Sequence, residues 1–129
     1  LKQSTGLQDA FPKDRSENKN EIFDFDKLKE YSIGDDGLFR GLLEALSRTL
    51  PVNIDGLVNV EMEGNLDNLK MVAHNVKPTL VMFDHGATLE IIRDVELMEA
   101  TADRSDLTSL ASSLKQQLES LNELVIARL

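Results

Sequence analysis

One histidine in this chain has a lysine about one helical turn away on each side. Lys70 and Lys77 lie four residues before and three residues after His74, and this spacing places the three side chains on one side of a helix. A neutral imidazole is a nucleophile, and ammonium groups beside it attract an anion such as a phosphoryl group. The pattern therefore indicates chemistry in which a histidine nitrogen accepts an anionic group.

The stretch LDNLKMVAHNVKPTLVMF, from Leu66 to Phe83, must position this histidine, and its apolar residues follow the period of a helix. The apolar stripe consists of Leu69, Ala73, Val76, Leu80 and Phe83. At about 100° per residue, His74 lies about 140° from the centre of that stripe. Four other apolar residues lie beside it around the helix: Met71, Pro78, Val81 and Met82. Such neighbours indicate a contact surface rather than a purely solvated face. The alternative is a histidine with only a structural role.

Composition excludes several classes of function. The chain has 129 residues and a net charge of −9, whereas nucleic-acid binding needs a basic surface. It has no cysteine, and so no disulfide framework or thiolate zinc site. No apolar run is long enough to span a membrane, and the start has no secretory signal. We expect a cytoplasmic protein without membrane contact. Because the chain starts at Leu1, we expect it to be a piece of a longer or processed protein.

The common catalytic motifs are missing from the sequence. It has no glycine-rich phosphate loop, no His-Glu-x-x-His and no Gly-x-Ser-x-Gly. It has two histidines and none of the Glu-x-x-His pairs that hold metals in helical bundles. We therefore expect no cofactor and no metal of its own.

The periodicity predicts an all-α fold. A short helix is expected at 23–31. Asp35 or Asp36 is expected to cap the next segment, which stops at a turn formed by Gly64-Asn65. Further helices are expected at 66–83, from residue 87 or 88 to residue 100, and from about residue 103 or 105 to the end. Long amphipathic helices joined by short turns bury their stripes against one another. We predict an up-down four-helix bundle with a short extra N-terminal helix. Residues 1–20 are polar and are expected to form a linker or disordered tail, which leaves 21–129 as the bundle domain.

Two positions leave the helix boundaries open. Pro51 either separates two helices or kinks one long helix, and the absence of turn residues beside it favours the kink. Pro78 predicts a local kink or loosened turn beside His74, the alternative being that the helix ends at Val76. The break before the fourth helix is expected at Asp84-His85-Gly86, with His85 as a turn residue.

The residues around His74 resemble a known phosphorylation motif. The run Ala73-His74-Asn75-Val76-Lys77-Pro78-Thr79 is similar to Ala-His-x-Leu-Lys-Gly-Ser, the motif of histidine-containing phosphotransfer (HPt) domains. The order of elements over roughly residues 23–126 resembles that family too. The chain departs from it at Pro78, where most members have a glycine whose small size lets the partner approach. It departs again at Asp84, in place of a glycine that usually follows the histidine by about ten residues.

The resemblance implies a function and a set of partners. His74 would accept a phosphoryl group from a receiver-domain aspartate and pass it to another receiver aspartate, and Lys77 would stabilise the phosphoryl oxygens. The protein would have no kinase activity of its own. Its partners would be response-regulator receiver domains and a hybrid sensor histidine kinase, and any Mg²⁺ would belong to the receiver.

Docking is expected on the His74 face, through Lys70, Met71, Pro78, Val81 and Met82, with the protein a monomer. Two alternatives involve no phosphoryl group. In one, a helical module docks its partners without being phosphorylated. In the other, a dimerisation bundle uses the leucine-rich last helix as its interface.

Overall fold

A computed structural model of the protein describes residues 23–129, and helices make up most of that range. In chain order they are α1 (Phe25–Tyr31), α2 (Asp36–Glu63), α3 (Leu66–Phe83), α4 (Gly86–Leu97) and α5 (Arg104–Ala127). The described residues contain no strand, which confirms the predicted all-α fold. The tail predicted for residues 1–20 lies outside the described residues.

The four longer helices form a closed ring of neighbours. α2 packs most extensively on α5, and contacts from α2 to α3, from α3 to α4 and from α4 to α5 complete the ring. Their apolar stripes meet in one core, which confirms the predicted bundle. α5 contributes a row of fully buried residues to it: Ala111, Leu114, Leu118, Leu121 and Val125. Because these leucines line the protomer's own core, they are not available as a dimer interface.

The short helix α1 packs against the end of the bundle where α3 finishes. The Phe23 and Phe25 rings meet Phe83 edge to face, with ring centroids 5.5 and 5.1 Å apart. The side chain of Asp24 caps the helix by accepting a hydrogen bond from the Asp26 N–H at 3.0 Å. The predicted N-terminal helix is therefore present, and it begins at Phe25 rather than at Phe23.

The turn between α2 and α3 is built as predicted from Gly64-Asn65. Gly64 has φ +69°, a left-handed conformation that a side chain disfavours. A Cβ at this position would also lie 2.7 Å from the Nε of Arg104. That arginine donates a hydrogen bond to the Met62 carbonyl at 2.6 Å. Asn65 then caps α3 by accepting from the Asn68 N–H at 3.1 Å.

Both internal prolines lie within continuous helices. α2 runs through Pro51 and α3 runs through Pro78. A single long helix through Pro51 is therefore confirmed, and the alternatives of two helices there and of an end of α3 at Val76 are wrong. Each proline is exposed, so its ring is accommodated at the surface. Since Pro78 has no N–H, residue 78 cannot donate the usual helical hydrogen bond to the His74 carbonyl.

The connection from α3 to α4 is tighter than the sequence predicted. α3 ends at Phe83, and Asp84 follows with φ +51°. His85 is the N-cap of α4, with its Nδ1 accepting from the Thr88 N–H at 3.3 Å. As a result α4 begins at Gly86, before the predicted start at 87 or 88, and it ends at Leu97 rather than at residue 100.

Among the helices of residues 23–129, none combines the length and apolar character that a membrane span requires.

Candidate functional site

His74 lies near the middle of α3, and its side chain is exposed. The predicted stripe on the opposite side of the helix is buried, with Ala73 and Leu80 fully inaccessible. The helical period therefore located the imidazole correctly. Within residues 23–129, the His74 side chain makes no hydrogen bond or ion pair with the protein. Its ring nitrogens are open to a reactant from solution.

The apolar neighbours predicted around His74 are present at the surface. Met71 and Val81 are 55% and 45% exposed, and Pro78 is exposed as well. Met82 is half-buried, because it packs against the edge of the core. An exposed histidine among exposed apolar side chains is an arrangement suited to contact with another protein.

Lys77 is held by an acidic side chain from the neighbouring helix. Its Nζ lies 2.9 Å from Oε2 of Glu96, near the end of α4. The two side chains are 45% and 42% exposed, so this is a surface ion pair of modest strength. The sequence predicted that the Lys77 ammonium would act on an anion at His74, whereas in the structure this ammonium is paired with the Glu96 carboxylate.

Lys70 is drawn toward the same point of α4. Its Nζ donates a hydrogen bond to the main-chain carbonyl of Glu96 at 3.4 Å. That carbonyl is one of the last four of α4, which have no partner within their own helix, and a cation is favourable at that end of the helix dipole. Both lysines that flank His74 along α3 are thus turned toward one residue of α4.

A groove of about 500 Å³ runs along the opposite flank of α3, between α3 and α2. On the α3 side it is lined by Asn75, Thr79 and Met82, and on the α2 side by Arg48, Thr49 and Val52 among others. Val52 is 70% exposed, so the groove has an apolar rim. His74 therefore lies on the exposed face of α3 between α4 on one side and the groove on the other.

His85, the second histidine, is separate from this surface. Its ring is 1% exposed and stacks on Phe23 with centroids 3.9 Å apart and planes 11° apart. Asp84 next to it is exposed and forms an ion pair with Lys27 at 3.5 Å. A helix continuing past Phe83 would have placed His85 on the His74 face. Because α3 stops there, His85 is a structural cap.

No group of three or more histidine, cysteine or acidic side chains within residues 23–129 is arranged to hold a metal ion.

Sequence reasoning missed Glu96. It lies 19 residues after Lys77, on a different helix, so no helical spacing connects the two. The one available signal was its place in the helix predicted to end at residue 100, and that does not identify its partner. Only the packing of α4 on α3 brings the carboxylate to the lysine.

Comparisons with known proteins identify no relative. No model of a protein family matches the chain, and neither a curated protein nor a solved structure is found to be similar.

Proposed function

We propose that the protein is a phosphorelay intermediate of the HPt type. It accepts a phosphoryl group on His74 from an aspartate of one receiver domain and passes it to an aspartate of another. The observation that carries the proposal is the exposed, unpartnered imidazole of His74, with the Lys77 ammonium one helical turn away on the same helix. The motif Ala73-His74-Asn75-Val76-Lys77, similar to that of HPt domains, supports it.

The proposed chemistry is an in-line displacement at phosphorus. A ring nitrogen of His74 attacks the aspartyl phosphate, the N–P bond forms, and the P–O bond to the aspartate breaks, so that the aspartate leaves as a carboxylate. The reverse step delivers the group to the next aspartate. The chain's own part is to hold the ring at an open surface and to place the charge of Lys77 near the phosphoryl oxygens. Any Mg²⁺ would be held by the receiver.

The receiver would dock across the exposed face of α3. The proposed contacts are Lys70, Met71, Pro78, Val81 and Met82. The groove beside α3 supports an extension of this surface onto α2 around Val52. Pro78 is exposed and therefore lies in the proposed contact, where the HPt motif usually has a glycine.

The proposal is tested by incubating the chain with phosphorylated receiver domains from the same organism. We expect a label on the chain that acid removes and base does not, as for a phosphohistidine. His74→Gln should abolish it. Because His85 is then the one remaining histidine, loss of the label in a folded variant assigns it to His74. Circular dichroism would check the fold. No label with any of these receivers would refute the proposal.

A second candidate is a module that docks receivers or kinases without carrying phosphate. The ion pair of Lys77 with Glu96 favours it, because that lysine already has an anionic partner. Receiver binding that survives His74→Gln, without any labelling of the parent chain, would support this alternative. We expect a monomer in either case, and sedimentation at several concentrations would check it.

A further inference from the structure

One acidic residue lies directly beside the lysine that would stabilise a phosphoryl group. The Glu96 carboxylate is 2.9 Å from the Lys77 ammonium, and the main-chain carbonyl of the same residue accepts a hydrogen bond from Lys70. Both lysines that flank His74 along α3 are therefore partnered at one position of α4. This arrangement bears on phosphohistidine chemistry, because the ammonium of Lys77 cannot serve two anions equally well.

The charges of Glu96, Lys77 and the phosphoryl group determine whether Glu96 stabilises or destabilises phosphorylated His74. A phosphoryl group on His74 is strongly negative and favours a nearby cation. Glu96 offsets the charge of Lys77, which lies one helical turn from His74, so it opposes the phosphorylated state. The pair is exposed, and such pairs are weak enough to exchange partners. Lys77 can therefore leave Glu96 for the phosphoryl group at a modest cost.

We propose that Glu96 is a positioning residue that competes with the phosphoryl group for Lys77 and thereby limits the stability of the phosphohistidine. This inference rests on the proposed function of His74 as a phosphoryl acceptor, and it concerns the regulation of that site. A carrier must release its phosphoryl group as well as accept it. The competing carboxylate keeps the phosphorylated form from becoming too stable to pass the group on.

The test uses the 129-residue chain and a small chemical donor, so that no receiver is needed. Phosphoramidate would phosphorylate the exposed ring: the N–P bond to His74 forms, the P–N bond of the donor breaks, and ammonia leaves. His74→Gln identifies the signal. The ³¹P chemical shift is then followed against pH, because it reports proton binding to the phosphohistidine as a unit.

Removing the carboxylate should favour the less protonated and more negative form of the phosphohistidine. In Glu96→Gln we expect the proton-binding constant to fall about two- to fivefold, the range that corresponds to an exposed ion pair. Lys77→Ala should raise the constant. In the double variant the effect of Glu96→Gln should shrink to less than half, because the competition acts through Lys77.

Asp94→Asn is the matched control. It removes the same charge from the same helix, and Asp94 is exposed and lies about 160° around α4 from Glu96. A merely structural or long-range role for Glu96 would give both substitutions the same titration curve. Glu96→Asp keeps the charge but shortens the side chain, and its curve should fall between those of the parent chain and Glu96→Gln.

Three results would overturn the inference. The first is a Glu96→Gln titration curve identical to that of the parent chain or of Asp94→Asn. The second is an effect of Glu96→Gln on the proton-binding constant that is just as large in the Lys77→Ala background. The third is a failure of phosphoramidate to label His74. The failure of this proposal is distinguishable from the failure of the proposed function, because the donor acts without a receiver. If receivers transfer to His74 and Glu96→Gln changes nothing, only the competition is refuted. If receivers never transfer and the titration behaves as described, only the relay is refuted.

Discussion

Replacing His85 should lower the free energy of unfolding more than its position in a tight turn suggests. The ring is almost fully buried, its Nδ1 accepts the hydrogen bond that caps α4, and its face stacks on Phe23 at 3.9 Å. His85→Ala removes all three features together. Because His85 also joins α3 to α4, the substitution perturbs the connection between the helices that carry Lys77 and Glu96.

The size of the effect follows from these contacts. Loss of an N-cap costs about 1 kcal/mol. Loss of a stacked ring pair costs about 1 kcal/mol. The cavity and the lost burial cost about another 1 kcal/mol. We therefore expect His85→Ala to destabilise the protein by about 3 kcal/mol, as the sum of these three costs. His85→Asn keeps a side-chain acceptor at the cap and loses the ring, so it should cost about 1 kcal/mol less than His85→Ala.

Urea denaturation followed by circular dichroism measures both variants, with the denaturant slope checked for two-state unfolding. The order of stability should be the parent chain, then His85→Asn, then His85→Ala. A His85→Ala protein within about 0.5 kcal/mol of the parent would refute the reasoning, since that is the range of an ordinary surface substitution. Equal losses in the two variants would mean that the ring, and not the cap, carries the contribution.

Three further predictions concern stability. Gly64→Ala should cost about 1 kcal/mol or more, because the left-handed backbone is strained by a side chain and the new Cβ meets Arg104; an unchanged melting temperature would contradict this. Pro78→Ala should stabilise by about 1–3 kcal/mol by restoring an N–H within α3, and a loss in urea unfolding would mean that the proline ring is favourable there. The hydrogen bond to Glu61, at 2.6 Å, raises the pKa of Lys115 above its ordinary 10.5. The contribution of this ion pair to the free energy of unfolding is therefore present below pH 10.5 and is lost as pH rises through the higher pKa of Lys115 in the folded protein. Lys115→Met should therefore have a lower free energy of unfolding than the parent at neutral pH, and the difference should disappear in alkali.

The sequence correctly predicted the features that depend on a single helix, namely which residues of α3 are buried or exposed and where α2 stops. The period of the apolar residues placed Ala73 and Leu80 in the core and His74 outside it, because a helix relates its own residues by fixed angles. The stop at Gly64-Asn65 was equally local, since a left-handed glycine followed by a capping asparagine requires nothing from the rest of the chain.

The sequence did not predict the features that depend on contacts between different helices and turns. His85 is not among the usual capping residues, and its role depends on Phe23, which packs against it from 62 positions away in the sequence, before α1. The pairing of Lys77 with Glu96 depends on how α4 lies on α3. No spacing along the chain encodes either contact, so the sequence predicted the exposure of His74 but not the carboxylate beside Lys77.

The proline beside the candidate site sets a requirement for whatever binds there. Residue 78 offers no N–H to the His74 carbonyl, so a hydrogen bond to that carbonyl must come from another donor, such as water. A partner that excludes water from this surface must itself donate a hydrogen bond to the His74 carbonyl. Otherwise it leaves that main-chain acceptor unsatisfied, at a cost of about 1–3 kcal/mol. The main chain of α3 would thus contribute to partner choice at the same residue that would carry the phosphoryl group.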